Sequence, residues 1–308
     1  MIRTTERFVA TNGVRLRVTE AGERGNPVVL LAHGFPELAY SWRHQIPALA
    51  AAGYHVLAPD QRGYGGSSRP DDVAAYNIVE LTSDLAGLLE DVGARRAVLV
   101  GHDWGSPVVC NFALLHPDRV DGIVAMSVPP VPRPPAPPTE LWRRAFGDNY
   151  FYILHFQEPG VADAELGADP AATMHRVFAD VDSALGPPET RRSEPSPLPA
   201  WITQAELDHY VAEFTRTGFT GGLNWYRNFD RNWELTAHTP AATIDVPTLF
   251  LAGAADPVLL FTPRDRVRDV VTGPYRELLL DGAGHWVQQE RPAEVNEALL
   301  AFLAEIHR

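Results

Sequence analysis

The stretch from Ala97 to Gly105, AVLVGHDWG, leaves the chain few folds to choose from. Apolar residues fit for a strand buried on both faces run directly into glycine, histidine, aspartate, tryptophan and glycine. A strand that turns sharply into a helix, with small residues flanking its apex, has the general form G-x-S-x-G and holds the apex side chain clear of the sheet. Here the apex is Asp103. A serine would need a base before it could attack, whereas an aspartate, with a reference pKa of about 3.9, is already an anion at neutral pH. A carboxylate suits displacement at a saturated carbon. It leaves an ester whose acyl carbon is the aspartate's own carboxyl carbon, open to hydrolysis like any acyl-enzyme. Alone, the motif is also what a strand-helix turn with a surface acid looks like, so the rest of the chain has to decide.

A chain of 308 residues holds one large α/β domain with an insertion, or two ordinary domains. Its single cysteine, Cys110, rules out an internal disulfide and fits a reducing compartment, and its apolar surroundings point to packing. Against 39 Asp and Glu stand 26 Lys and Arg, a formal charge of -13 that disfavours nucleic acid and suits a neutral small-molecule substrate. The opening residues MIRTTERFVATNGVRL contain no apolar signal core. No stretch approaches the roughly 18 apolar residues of a membrane span, so the expected location is the cytoplasm.

Val14, Leu16 and Val18 alternate with charged residues after the turn pair Asn12-Gly13, which predicts an opening antiparallel hairpin. Continuous apolar runs follow at Val28 to Ala32, Val56 to Ala58, Val98 to Val100 and Ile123 to Met126, the pattern of parallel strands covered on both faces. Between them Asn77 is placed to cap a helix with Ile78, Leu81, Leu85, Leu88 and Leu89 on one face, ending before Gly93. Pro129 to Pro138 then contains seven prolines in ten residues, an extended boundary that neither helix nor sheet absorbs. A second proline cluster, Pro187 to Pro199, lies within an insertion of aromatic-bearing helices such as Ala205 to Phe214. Thr248 to Ala252 resumes the buried-strand pattern, Glu277 to Leu280 is a last strand, and Val295, Ala298, Leu299, Phe302, Leu303 and Ile306 mark a closing amphipathic helix. The division expected is 1-128 and 239-308 as two parts of one core, with 129-238 as an inserted helical lid.

Three further groups stand where a hydrolase built on this elbow needs them. His285 follows a strand through a glycine turn in LLLDGAGHW, and Asp256 ends the preceding strand in LFLAGAADP, where it can accept the other ring N–H of the histidine. Asp103, Asp256 and His285 have the chain order nucleophile, acid, histidine of the α/β-hydrolase triad. Asp281, inside the histidine's own turn, reads as a surface or turn residue, and Ser127 to Pro130 offers no acid after the Ile123 strand. The loop His33 to Glu37, HGFPE, follows the first buried strand; in this fold it contributes one backbone N–H to the oxyanion hole and the residue after the nucleophile contributes the other, here Phe35 and Trp104. The need to turn that N–H toward the elbow predicts a cis Phe35-Pro36 bond.

Together HGFPE, GHDWG, FYILHFQEPG, GFTGGLNWYRNFDRNW and GAGHW resemble the soluble epoxide hydrolases of the α/β-hydrolase superfamily over nearly the whole chain. The resemblance implies an α/β-hydrolase fold: a mostly parallel eight-stranded sheet with helices on both faces, and an inserted helical cap. It also implies that Tyr152 and Tyr226 project from the cap and hydrogen-bond the epoxide oxygen. Chemistry agrees, because phenols of pKa about 10 can donate to a developing alkoxide without prior ionisation. Packing, with the hydroxyl satisfied at a surface, is the better reading for Tyr150 and Tyr210, and core or pocket wall for Trp42, Trp201, Trp225 and Trp233. Ser106, where the family often has glycine or alanine, and the proline-rich stretch are the departures.

The resulting expectation is an epoxide hydrolase that needs no cofactor and no metal and forms vicinal diols from small-molecule epoxides and water. Asp103 attacks carbon, Tyr152 and Tyr226 stabilise the leaving oxygen, and His285, oriented by Asp256, activates water against the ester. A dehalogenase using the same Asp, His and Asp is the nearest rival, with Trp104 as a halide donor, although paired phenols favour an alkoxide. A receptor or carrier with the fold but slow turnover is the rival from another class. Substrate identity, selectivity and oligomeric state, including a homodimer, stay open at this level.

Overall fold

The computed structural model describes residues 3–190, 196–239 and 243–307; Pro195 of the second proline cluster lies outside them. The strands are β1 (Thr4–Thr11), β2 (Val14–Ala21), β3 (Val28–Ala32), β4 (His55–Pro59), β5 (Ala97–His102), β6 (Val120–Met126), β7 (Thr248–Gly253) and β8 (Tyr275–Leu280). They form one eight-stranded sheet in the order β1-β2-β4-β3-β5-β6-β7-β8. β2 runs antiparallel to β1 and β4, and the remaining pairs are parallel. Asn12 and Gly13, at φ of 44° and 74°, make the turn between β1 and β2, since a two-residue hairpin of matching twist needs positive φ at both positions.

Residues alternate between the two faces of the sheet. Leu30, Leu99, Ile123 and Phe250 pack with Leu81, Leu85 and Leu88 of helix Ile78–Asp91 and with Val108 and Phe112 of helix Gly105–Leu115. Val29, Leu31, Val98, Val100 and Val124 face the other way, against Ile46, Leu49, Val295, Leu299 and Phe302. Both layers are therefore dry, which is why β3 to β7 read as apolar runs without a polar face. β1 and β8 are the two edge strands, β1 mostly exposed and β8 only partly buried. Asn77 caps its helix as expected, its Oδ1 accepting from Val79 N–H at 3.0 Å and Glu80 N–H at 3.2 Å.

Among the described residues, eight α-helices between Pro138 and Leu235 lie between β6 and β7 in the chain. Residues 129–137 have no regular structure, and Pro138 opens the first of these helices, a position where its missing N–H costs nothing. The proline stretch is pinned by Trp233, whose indole N–H donates to Pro134 O at 2.8 Å while the Arg133 guanidinium stacks on its ring at 4.0 Å. Trp233 is thus half-exposed and not core, whereas Trp42 and Trp225 are fully buried. Tyr210 differs from its expected surface-satisfied role. Its hydroxyl is fully buried, 2.8 Å from Ser41 Oγ and 3.2 Å from Gln289 Oε1, and it ties helix Gln204–Thr217 to the sheet-bearing part. No helix among the described residues is long and apolar enough to cross a membrane.

Strand order reverses between β3 and β5, so the helices that follow these two strands cover opposite faces of the sheet, the arrangement that places ligands at the carboxyl ends of the strands in open α/β sheets. Every triad candidate stands at that end.

Candidate active site

The elbow depends on two absent side chains. A Cβ on Gly101 would lie 2.1 Å from Gly105 O, and one on Gly105 would lie 2.0 Å from Ala32 O. Asp103 between them takes φ 49°, a left-handed conformation that an L-residue adopts only when its surroundings hold it there. Its N–H donates to Met126 O at 3.2 Å, and the helix starting at Gly105 turns its positive end toward the carboxylate.

The two oxygens of Asp103 have different partners. Oδ1 accepts from Phe35 N–H at 2.7 Å, and Trp104 N–H also donates to the carboxylate. Oδ2 faces His285 Nε2 at 3.7 Å. The Phe35-Pro36 bond is cis. Burial pushes the Asp103 carboxyl above the usual carboxylate range, against the opposing pull of His285, His102 and the two N–H groups.

His285, carried by the turn after β8, is buried and sets Nδ1 3.1 Å from Asp256 Oδ1 and 3.2 Å from Oδ2. Burial alone would lower its pKa, but Asp256 first, then Asp103 and Glu37, raise it to about 9. Burial works to raise Asp256; His285, the Ser127 hydroxyl and the Val258 N–H outweigh it and hold the carboxyl below its ordinary value. Asp281 is exposed, and its carbonyl accepts from Arg291.

Tyr152 opens helix Tyr152–His155 and Tyr226 closes helix Thr220–Tyr226. Their rings are 6.1 Å apart, edge to face, and both are buried. Phe156 packs against both, at 5.5 Å and 5.1 Å. Trp104 meets Tyr226 edge to face at 5.1 Å. Burial and the Asp103 charge drive both phenols well above their ordinary pKa, so they stay protonated donors; on Tyr226 a hydrogen bond with Trp104 acts in the opposite direction. Asp103, Asp256, His285, Phe35 and Trp104 are within one connected set of contacts, and the Asp103 charge reaches both tyrosines.

Two features escaped the sequence reading. Glu37, quoted within HGFPE but given no role, is fully buried; its Oε2 is 2.6 Å from His102 Nδ1 and accepts from Gly34 N–H at 2.9 Å, and Oε1 accepts from Gln288 Nε2 at 2.8 Å. Burial opposes its charge, yet His102, His33 and the Gly34 N–H hold its pKa at about 2. His102 Nε2 reaches His285 O at 2.8 Å, so this network underpins the histidine's backbone. The only sequence signal was a charge in a tight loop after a buried strand. Ser127 is the other, at the end of β6 and in contact with both Asp256 and His285.

A doubly covered parallel sheet with a carboxylate at its strand-helix elbow and a buried histidine-aspartate pair defines an α/β-hydrolase. Residues 27–292 match the family model described as alpha/beta hydrolase fold. Epoxide hydrolase A of Mycobacterium tuberculosis is 67% identical over 312 residues, covering 97% of each chain. Epoxide hydrolase 1 of Siraitia grosvenorii is 40% identical over 96% of this chain and 97% of its own. The crystal structure of Epoxide Hydrolase A from Mycobacterium thermoresistibile superimposes with a TM-score of 0.94 at 65% identity, over 98% of both chains. The chain belongs to the epoxide hydrolase family.

Proposed function

We propose that this epoxide hydrolase opens its substrate through an ester on Asp103. Asp103 Oδ2 attacks an epoxide carbon while the Tyr152 and Tyr226 hydroxyls donate to the ring oxygen, one of them releasing its proton to the alkoxide. Oδ1 becomes the ester carbonyl, and under water attack its oxygen takes up negative charge against Phe35 N–H and Trp104 N–H. His285, oriented by Asp256, removes one proton from that water and returns it to the departing diol oxygen as the tetrahedral species collapses; the second water proton, released as Asp103 regains its carboxylate, reprotonates the tyrosine, and a vicinal diol leaves.

The observation that carries this reading is the division of the Asp103 carboxylate, with Oδ1 held by Phe35 N–H at 2.7 Å and Oδ2 turned to His285. A general base that merely activates water has no use for an N–H donor on its second oxygen, whereas an acyl carbon does. Alkylation of Asp103 also removes one of the charges that raise the His285 pKa, so more of the histidine is in the neutral form that can take a proton from water once the ester exists.

In this reading residues 129–238 act as a lid that carries the phenols over a core formed by 1–128 and 239–308, and the protein works in the cytoplasm on small-molecule epoxides. Single turnover in ¹⁸O water with enzyme in excess tests it. Ester formation leaves the new diol hydroxyl unlabelled and puts label in the peptide containing Asp103. Label in the diol on the first turnover, with none in Asp103, would replace the ester by direct attack of water.

A further inference from the structure

Ser127 belongs to neither the elbow nor the triad, yet three independent features converge on it. It is fully buried, and its backbone takes φ 69°, a strained conformation for a non-glycine residue. Val128 N–H bonds back to Met126 O at 2.8 Å, an i to i+2 closure about Ser127 that makes the rarer, more strained form of γ-turn. The same Met126 carbonyl accepts the Asp103 N–H, and Ser106 Oγ–H holds Val128 O, so the elbow and this turn are built on shared bonds. The strained turn delivers the side chain: Ser127 Oγ donates to Asp256 Oδ2 at 2.6 Å and lies 3.0 Å from His285 Nδ1, as close as either oxygen of Asp256.

We propose that Ser127 is a positioning residue of the acid–base pair, its hydroxyl bridging Asp256 and His285 so that the carboxylate is fixed against the imidazole and its basicity is damped. A hydroxyl has one proton. Given to Asp256 Oδ2, it leaves an oxygen lone pair to share the Nδ1–H of His285 with the carboxylate, which keeps Nε2 unprotonated in the neutral ring and turned to Asp103. Without the hydroxyl, the imidazolium loses the longer 3.0 Å contact to Oγ, but the Asp256 charge, freed of its 2.6 Å donor, acts undivided on it, and this larger change makes it harder to deprotonate. The groups that face His285 are Asp256, Asp103, Glu37, His102 and, through the flanking backbone, Glu290. None of them replaces the lost donor, because Asp256 Oδ2 takes its side-chain hydrogen bonds from Ser127 and His285.

The test separates the hydroxyl from the turn. Ser127→Ala removes the hydroxyl and keeps a side chain at positive φ; Ser127→Gly removes the hydroxyl and relieves the strain. NMR titration of the His285 ring nitrogens is read alongside the rates of ester formation and ester hydrolysis. Both variants are expected to raise the His285 pKa by roughly half a pH unit or more and to slow ester hydrolysis at neutral pH about threefold to tenfold, with ester formation little changed. The kinetic half rests on the ester reading, but the titration does not. Absence of any ester in wild type would overturn that reading and leave the pKa comparison standing. An unchanged or lowered His285 pKa in the folded Gly variant, or an effect confined to Ala, would overturn the role of the hydroxyl.

Discussion

Phe35 N–H donates to Asp103 Oδ1 at 2.7 Å, across two loops separated by 68 residues of chain. Phe35 follows β3 and Asp103 follows β5, and Ala32 pairs with Gly101 across those neighbouring strands, so the sheet register sets their approach. One donor thereby makes the two oxygens of a single carboxylate unequal before substrate arrives, and the site is organised around that inequality.

His285→Gln should let Asp103 attack and stop water from following, because opening the ring does not need the base and hydrolysing the ester does. Intact-protein mass spectrometry after mixing with an aryl epoxide is expected to show one equivalent of adduct, localised to the peptide of Asp103. A variant that neither turns over nor gains mass would place His285 in the first step as well.

Tyr152→Phe and Tyr226→Phe should each slow ester formation about tenfold, and the double change about a hundredfold or more, since either phenol can partly serve the ring oxygen alone. Rapid-quench measurement of the burst reads this step separately from hydrolysis. A double variant with the wild-type burst rate would remove the phenols from the chemistry.

The His285 pKa gives stability a definite pH dependence. It rises from 6.5 to about 9 on folding, so the charged pair stabilises the fold fully below about pH 6.5, and that contribution is lost as pH rises through 9. Thermal melts should therefore show Tm falling over this window, and Asp256→Asn, which removes the largest raising contribution, should flatten the fall. A wild-type Tm that climbs between pH 6.5 and 9 would contradict the pairing.

Glu37→Ala should destabilise the protein by about 3 to 5 kcal/mol, because it leaves the His102 ring and the Gly34 N–H buried without their acceptor. The glutamate pKa falls from 4.5 to about 2 on folding, so its contribution is present above about pH 4.5 and lost as pH drops through 2. Urea unfolding of both proteins at neutral pH and at pH 3 should show the difference between them shrinking in acid. Equal stabilities at neutral pH would mean that water or a rearranged side chain supplies the acceptor.

What the sequence determined by itself is whatever is encoded in short contiguous runs. Gly101 and Gly105 announce the elbow because only a residue without Cβ fits their close contacts, and the apolar runs announce parallel strands because both faces are covered. Asn77 and the Asn12-Gly13 turn are local in the same sense, and the order of Asp103, Asp256 and His285 follows from where strands end; Pro138, expected in the extended stretch, instead opens a helix. Tyr152 and Tyr226 were picked out by the motifs that contain them, not by any period or spacing, and the structure buries both. Tertiary structure alone decided what Ser127, Glu37 and Tyr210 do. Each is an ordinary polar residue whose partners lie far along the chain: Ser127 and Asp256 are 129 positions apart, Tyr210 and Ser41 are 169, and Glu37 and Gln288 are 251. A buried hydroxyl or carboxylate is held by the donors and acceptors that surround it, and those arrive only when strand ends from distant segments meet at one edge of the sheet.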